Sequence, residues 1–169
     1  EELVPMLTEC VDSVDDCMLA MRKLLALTQD NHNWLLSDFS PLGYSVPPMA
    51  FIWQDDKVLL AYKQDDNLKA ELGDELVSID GVDISVILQQ RSPFTPRSQH
   101  KKLDYLVSYD LLRGESSKSL ELQLRDTAGA LYSMTVSRTE YVGEVYQALK
   151  KNLTFANEDK VKKLNNGIV

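Results

Sequence analysis

Ser116-Ser117-Lys118 is the one tight serine and lysine cluster in the chain. A Ser/Lys dyad needs a desolvated lysine whose pKa has fallen far enough to take the hydroxyl proton. This cluster follows Gly114 in a polar stretch between a helical and a strand pattern, so the lysine is expected to be solvated and charged, in an exposed turn. Two other pairings of base and partner exist on paper, His32 with Cys17 and His100 with Asp104, and their spacing supports neither. His32 reads as a structural residue at a helix-to-loop corner and His100 as an exposed residue near a helix start. Asp55-Asp56 and Asp65-Asp66 lack the alternating oxygen ligands and closing glutamate of a calcium loop and read as solvated turn acids. Cys10 and Cys17, seven apart in a helical pattern, stand about 10.5 Å apart along it, too far for a disulfide. They read as small buried hydrophobes, and no close-spaced ligand pair suggests zinc. The sequence thus offers no catalytic residue, no metal site and no cofactor site.

The elements that would position these residues belong to a folded chain. Its 169 residues are 44% hydrophobic and 26% charged, close to the globular average. Eighteen basic against 26 acidic residues leave a net charge of −8 with no basic stripe, which argues against a nucleic-acid partner. The longest apolar runs, Leu24 to Leu27 and Val58 to Tyr62, fall far short of the ~20 residues of a membrane span. The chain opens on Glu1-Glu2 without a basic and apolar leader, so it is read as cytosolic or as already stripped of an export signal.

Val11, Val14, Cys17, Met18, Met21, Leu24 and Leu25 recur at three and four residues, predicting an amphipathic helix over about 6–27 with Thr8 or a neighbour as cap. Residues 34–49, with Pro41, Gly43 and Pro47-Pro48, read as an irregular connection. From Met49 the period becomes two: Ala50 to Trp53, the turn Asp55-Asp56, then Lys57 to Tyr62 predict a hairpin. Leu76 to Ile79 ends on the turn pair Asp80-Gly81 and resumes at Val82. A short helix over 84–91 and a longer one over 98–112 follow, the second with Leu103, Leu106, Val107 and Leu111 on its core face and Gly114 as stop. Ser119 to Arg125 and Leu131 to Arg138 alternate as a second hairpin, and a last helical stretch runs near Val142 to Lys151, followed by a polar piece through Lys160-Lys163.

Leu72-Gly73-Asp74-Glu75-Leu76-Val77-Ser78-Ile79-Asp80-Gly81-Val82-Asp83-Ile84 resembles the "GD-E-[IL]-[VL]-x-[IV]-[DN]-G" segment of PDZ domains. Leu111-Leu112-Arg113-Gly114, followed by a hairpin holding Leu122, Leu124, Arg125, Asp126 and Gly129, is similar to the helix and final strands of the circularly permuted bacterial form. With the helical segment in front, and with Asp30-Asn31-His32 standing imperfectly where an "Asp-Gly-His" turn belongs, the chain resembles the region upstream of the catalytic core in carboxyl-terminal processing (tail-specific) serine peptidases.

The resemblance implies an α+β fold: a PDZ-like, partly open β barrel of the permuted bacterial type behind an amphipathic helical segment. It divides the chain into 1–45 (helical segment and connection), 46–140 (PDZ-like domain) and 141–169 (helical linker). Asn166-Gly167-Ile168-Val169 would open the first strand of a Ser/Lys catalytic domain, so the chain reads as a fragment that is inactive alone. The implied partners are a protein or peptide C-terminus and the chain's own catalytic domain, and the implied compartment is periplasmic or extracellular. PDZ-type grooves bind by strand addition. Here the edge strand would hold Met49, Ala50, Phe51 and Ile52, and the helical wall Tyr105 and Tyr109. The carboxylate loop would be Ser45-Val46-Pro47-Pro48, where each proline removes an N–H donor. A free-standing interaction module, or a degenerate fold used for packing or dimerisation, are the alternatives.

Overall fold

The computed structural model describes residues 14–30, 43–99 and 101–165, and among these the side chains from residue 16 to residue 153. Helix α1 (Val14–Leu27) is the described part of the predicted amphipathic helix. Thr8, Cys10, Val11, His32, Pro41, His100, most of the Asp30-Asn31-His32 turn and Asn166 to Val169 lie outside the described residues. The irregular connection ends in β1 (Ser45–Val46).

The first hairpin forms where the two-residue period begins. Strands β2 (Met49–Gln54) and β3 (Lys57–Lys63) pair antiparallel with Gln54 opposite Lys57, and Asp55 and Asp56 both take positive φ, 51° and 59°. That is the mirror-image turn whose twist suits a two-residue hairpin. The same geometry recurs between β4 (Glu75–Ile79) and β5 (Val82–Asp83), with φ of 51° at Asp80 and 77° at Gly81. Helix α2 (Ile84–Arg91) starts where Asp83 accepts the Ser85 N–H at 2.8 Å.

The segment predicted as one α-helix over 98–112 differs in form. One α-helical turn, α3 (Lys102–Tyr105), passes into a π-helical turn (Leu106–Asp110). Leu106, Val107 and Leu111 still reach the core. The wider turn also carries the Asp110 carboxylate inward, onto the Arg22 and Arg113 guanidiniums at 2.7 Å each. Arg113 further donates to the Gly43 carbonyl at 2.9 and 2.7 Å, and Arg91 donates to the carbonyls of Asp110 and Leu111. This polar cluster ties α1, the loop at Gly43 and the π-helical turn together.

Strands β6 (Ser119–Arg125) and β7 (Leu131–Ser137) form the second hairpin, its turn fixed by Asp126 accepting the N–H groups of Ala128 and Ala130. Strand β8 (Glu140–Tyr141) returns to pair with β1, and helix α4 (Val142–Asn165) follows. The expected polar piece at Lys160-Lys163 is part of that helix; no proline or glycine interrupts 144–165, so nothing local breaks it.

The main sheet runs β2-β3-β4-β6-β7, antiparallel throughout, with β5 beside β4. It is open: among the described residues β2 and β7 are not joined. The core packs Phe51, Leu60, Leu76, Leu122 and Leu124 from the sheet against Leu106 and Leu111, with Val142, Val145 and Leu149 of α4 closing it. This is the expected α+β, partly open arrangement, with α2, α3 and the π-helical turn lying between β5 and the last hairpin.

Candidate functional site

β2 is an edge strand: among the described residues only β3 pairs with it. The two-residue turn makes Gln54 and Lys57 a hydrogen-bonded pair, and alternation makes Ile52 and Leu59 the next. The backbone groups of Phe51 and Trp53 therefore face away from β3. Leu60, opposite Phe51, bears this out by turning its own N–H and carbonyl the other way, to Asp74 and Gly73. A β-bulge at Ala61, where Ala50 pairs with Tyr62 and Phe51 with Leu60, ends the regular register at the start of the strand.

The helical segment 102–110, hereafter the wall helix, stands beside this edge, and α4 packs against both β2 and the wall helix. Tyr105 and Tyr109 are brought together as their spacing suggested, with ring centroids 5.0 Å apart. They also serve packing: Arg97 lies 3.8 Å over the Tyr105 ring, and Tyr109 meets Tyr146 of α4 edge-on at 5.1 Å. Burial, reinforced by the negative charge of Asp110, holds the Tyr105 hydroxyl well above the usual tyrosine range. Burial also raises Tyr109. Both phenols stay neutral donors at physiological pH.

Of the expected edge residues, Met49, Ala50 and Phe51 send their side chains into the core. Ile52 is half-buried and lines a cavity of about 310 Å³ together with Trp53, Asp104, Ser108, Tyr146, Leu149, Lys150 and Leu153. A neighbouring cavity of about 390 Å³ is lined by Arg97, Lys101, Asp104, Tyr105, Ser108, Tyr146 and Lys150. Asp104, Ser108, Tyr146 and Lys150 line both, so the two are lobes of one cleft with three walls: β2, the wall helix and α4. Tyr146, Leu149, Lys150 and Leu153 stand at i, i+3, i+4 and i+7, as do Lys101, Asp104, Tyr105 and Ser108. The first stripe was readable as a helix face but not as a wall of the site, because its partner is about a hundred residues upstream.

The loop before β2 holds no ready carboxylate grip. Pro47 and Pro48 have no N–H, and the Met49 N–H donates to the Pro47 carbonyl at 2.7 Å. The Ser116-Ser117-Lys118 cluster is the turn expected of it: Ser117 takes a φ of 65°, and the largely exposed Lys118 pairs with Glu115 at 2.7 Å. Asp65 folds back on Asn67, and Asp55 and Asp56 form the hairpin turn. Cys17 is half-buried on α1. Among the described residues no three histidine, cysteine, aspartate or glutamate side chains converge as metal ligands, and no helix is long and apolar enough to cross a membrane.

No protein-family model and no curated protein matches the chain. Solved structures do. The fold is shared with part of CPAF. A point mutant of CPAF superposes with a TM-score of 0.60 at 16% identity, and mature CPAF with 0.56 at 15%. Both alignments cover 79% of this chain and 27% of CPAF, so the chain spans about a quarter of that protein's length. The PDZ domain of a carboxy-terminal protease from Vibrio cholerae, in complex with a peptide, aligns over 57% of this chain and 94% of that domain at 11% identity and a TM-score of 0.37.

Proposed function

We propose that this chain is a non-catalytic, PDZ-like portion of a larger tail-specific serine peptidase and that it binds or positions a protein substrate's C-terminal segment. The observation that carries the reading is the Trp53 end of edge strand β2, where Ile52 and Trp53 remain partly exposed and the Trp53 backbone faces away from β3, beside a cleft that the wall helix and α4 enclose; at Phe51 the strand is fully buried. A peptide laid on that edge gains main-chain hydrogen bonds and finds side-chain pockets in the cleft. The fold shared with part of CPAF supports membership in a longer protein. By resemblance, that protein would work in the periplasm or outside the cell, its catalytic serine and lysine lying in another segment.

The test is a titration of ¹⁵N-labelled chain with peptides that end in a free carboxylate. Shifts concentrated at the amides of Ile52 to Gln54 and along 101–109 are the expected result. A flat spectrum with every peptide would overturn the reading. It would instead favour a domain used only for packing against a neighbour, which the self-satisfied Met49 N–H and the aromatic packing of Tyr109 on Tyr146 also support.

A further inference from the structure

The two lobes of the cleft differ in chemistry. One is walled by Ile52, Trp53, Leu149 and Leu153 and is mainly apolar. The other gathers Arg97, Lys101 and Lys150 around two tyrosines, with Asp104 as the only acid among its described residues. Three cations against one anion is a local reversal in a chain that carries −8. A cleft of one sign with low-dielectric aromatic walls attracts the opposite charge. Lys101 is largely exposed and holds Asp104 only loosely, at 3.9 Å. Lys150 lies 4.6 Å over the Tyr146 ring, on the strip that both lobes share.

We infer that this cleft takes a peptide's terminal residue, the free carboxylate against Lys101 and Lys150 and the apolar side chain between Trp53 and the exposed Leu153, with the buried Arg97, which already donates to the Pro96 carbonyl, adding only its charge. The inference rests on the peptide-binding reading and gives it a different anion grip: side-chain cations at the Trp53 end of β2 replace the backbone donors that Pro47, Pro48 and Met49 withhold at the other end. The adjoining lobes, about 390 and 310 Å³, have the dimensions for a carboxylate and one large apolar side chain.

The experiment measures fluorescence anisotropy of labelled octapeptides ending in Ala, Val, Leu or Phe, each made with a free and an amidated C-terminus. The native chain should prefer the free form of the Leu or Phe peptide by about tenfold or more, the scale of a charge-assisted contact. In the double variant Lys101→Glu, Lys150→Glu that preference should fall to about twofold or less. A second pair of exposed reversals with the same charge change, Lys57→Glu and Lys118→Glu, should keep it. Preference persisting in the first variant, or equal binding of free and amidated peptides by the native chain, overturns this inference and leaves the peptide reading standing. Binding of neither form at about 1 mM overturns the peptide reading itself and this inference with it.

Discussion

Asp110 and Arg113, three residues apart, share an ion pair of 2.7 Å in which both side chains are almost fully buried. Arg22 reaches the other Asp110 oxygen at the same distance from 88 residues away. Removing one partner from such a cluster strands the rest without water, which typically costs about 3–5 kcal/mol. Asp110→Ala should therefore lower the free energy of unfolding by that amount. Urea unfolding followed by circular dichroism checks it, and a loss below about 1 kcal/mol would show that the cluster contributes little.

Two partly buried tyrosines make stability sensitive to alkali. Tyr105 and Tyr132 are held above the usual tyrosine range, Tyr132 by burial and by donating its hydroxyl to Asp74. An unfolded tyrosine ionises near pH ~10. Above that pH the unfolded chain has lost protons that the folded chain retains, so stability is complete below pH ~10 and declines as pH rises toward the folded-state values. Tyr105→Phe keeps the ring stacking and should make this decline shallower. Identical slopes for variant and native chain between pH 9.5 and 11.5, both approximately chosen to bracket ~10, would remove the argument.

The first hairpin can be improved. Asp56 holds φ at 59°, a region that costs a residue with a Cβ about 1–2 kcal/mol and costs glycine little. Asp56→Gly should raise the unfolding midpoint by up to about 1 kcal/mol of stability, as thermal denaturation would register. A lower midpoint would mean that the Asp56 side chain contributes more than its backbone strain takes away.

α4 is fastened by its first turns. Leu149 is 1% exposed and faces the core cluster together with Val142 and Val145. Leu149→Ala should cost about 2–5 kcal/mol, and hydrogen exchange should quicken along 142–153 before it does so in β6 and β7. Equal loss of protection in both places would place the helix in the same cooperative unit as the sheet.

The hairpins were legible in the sequence because their instructions are local. Alternation from Met49 and from Ser119, with Asp55-Asp56, Asp80-Gly81 and Asp126 to Gly129 between the strands, sets both pairing and turn geometry. The core face of the wall helix was legible for the same reason. Its π-helical turn was not, since the inward pull on Asp110 comes from Arg22 and from the loop at Gly43 that Arg113 holds, both distant in sequence. The cleft was legible only in part. The i, i+4 spacing of Tyr105 and Tyr109 predicts that the two rings meet, and they do, but only Tyr105 lines the cleft, whereas Tyr146, Leu149 and Lys150 join it only through packing of one helix against another. The prolines announced a weak carboxylate loop, and the folding of the Met49 N–H onto Pro47 adds a third lost donor that no residue type reveals.

The ribbon formed by β1 and β8 has a mechanical consequence. Ser45 lies opposite Tyr141, and the Val142 N–H donates to the Tyr44 carbonyl at 2.9 Å, so the incoming and outgoing stretches of chain meet side by side. A pull that separates them loads these few bonds in succession, like a zipper, while the five-strand path behind them carries no tension. On the incoming side the same pull meets the Arg22 and Arg113 links to Asp110 and Gly43, so the outgoing stretch at Tyr141 and Val142 is the more weakly fastened of the two.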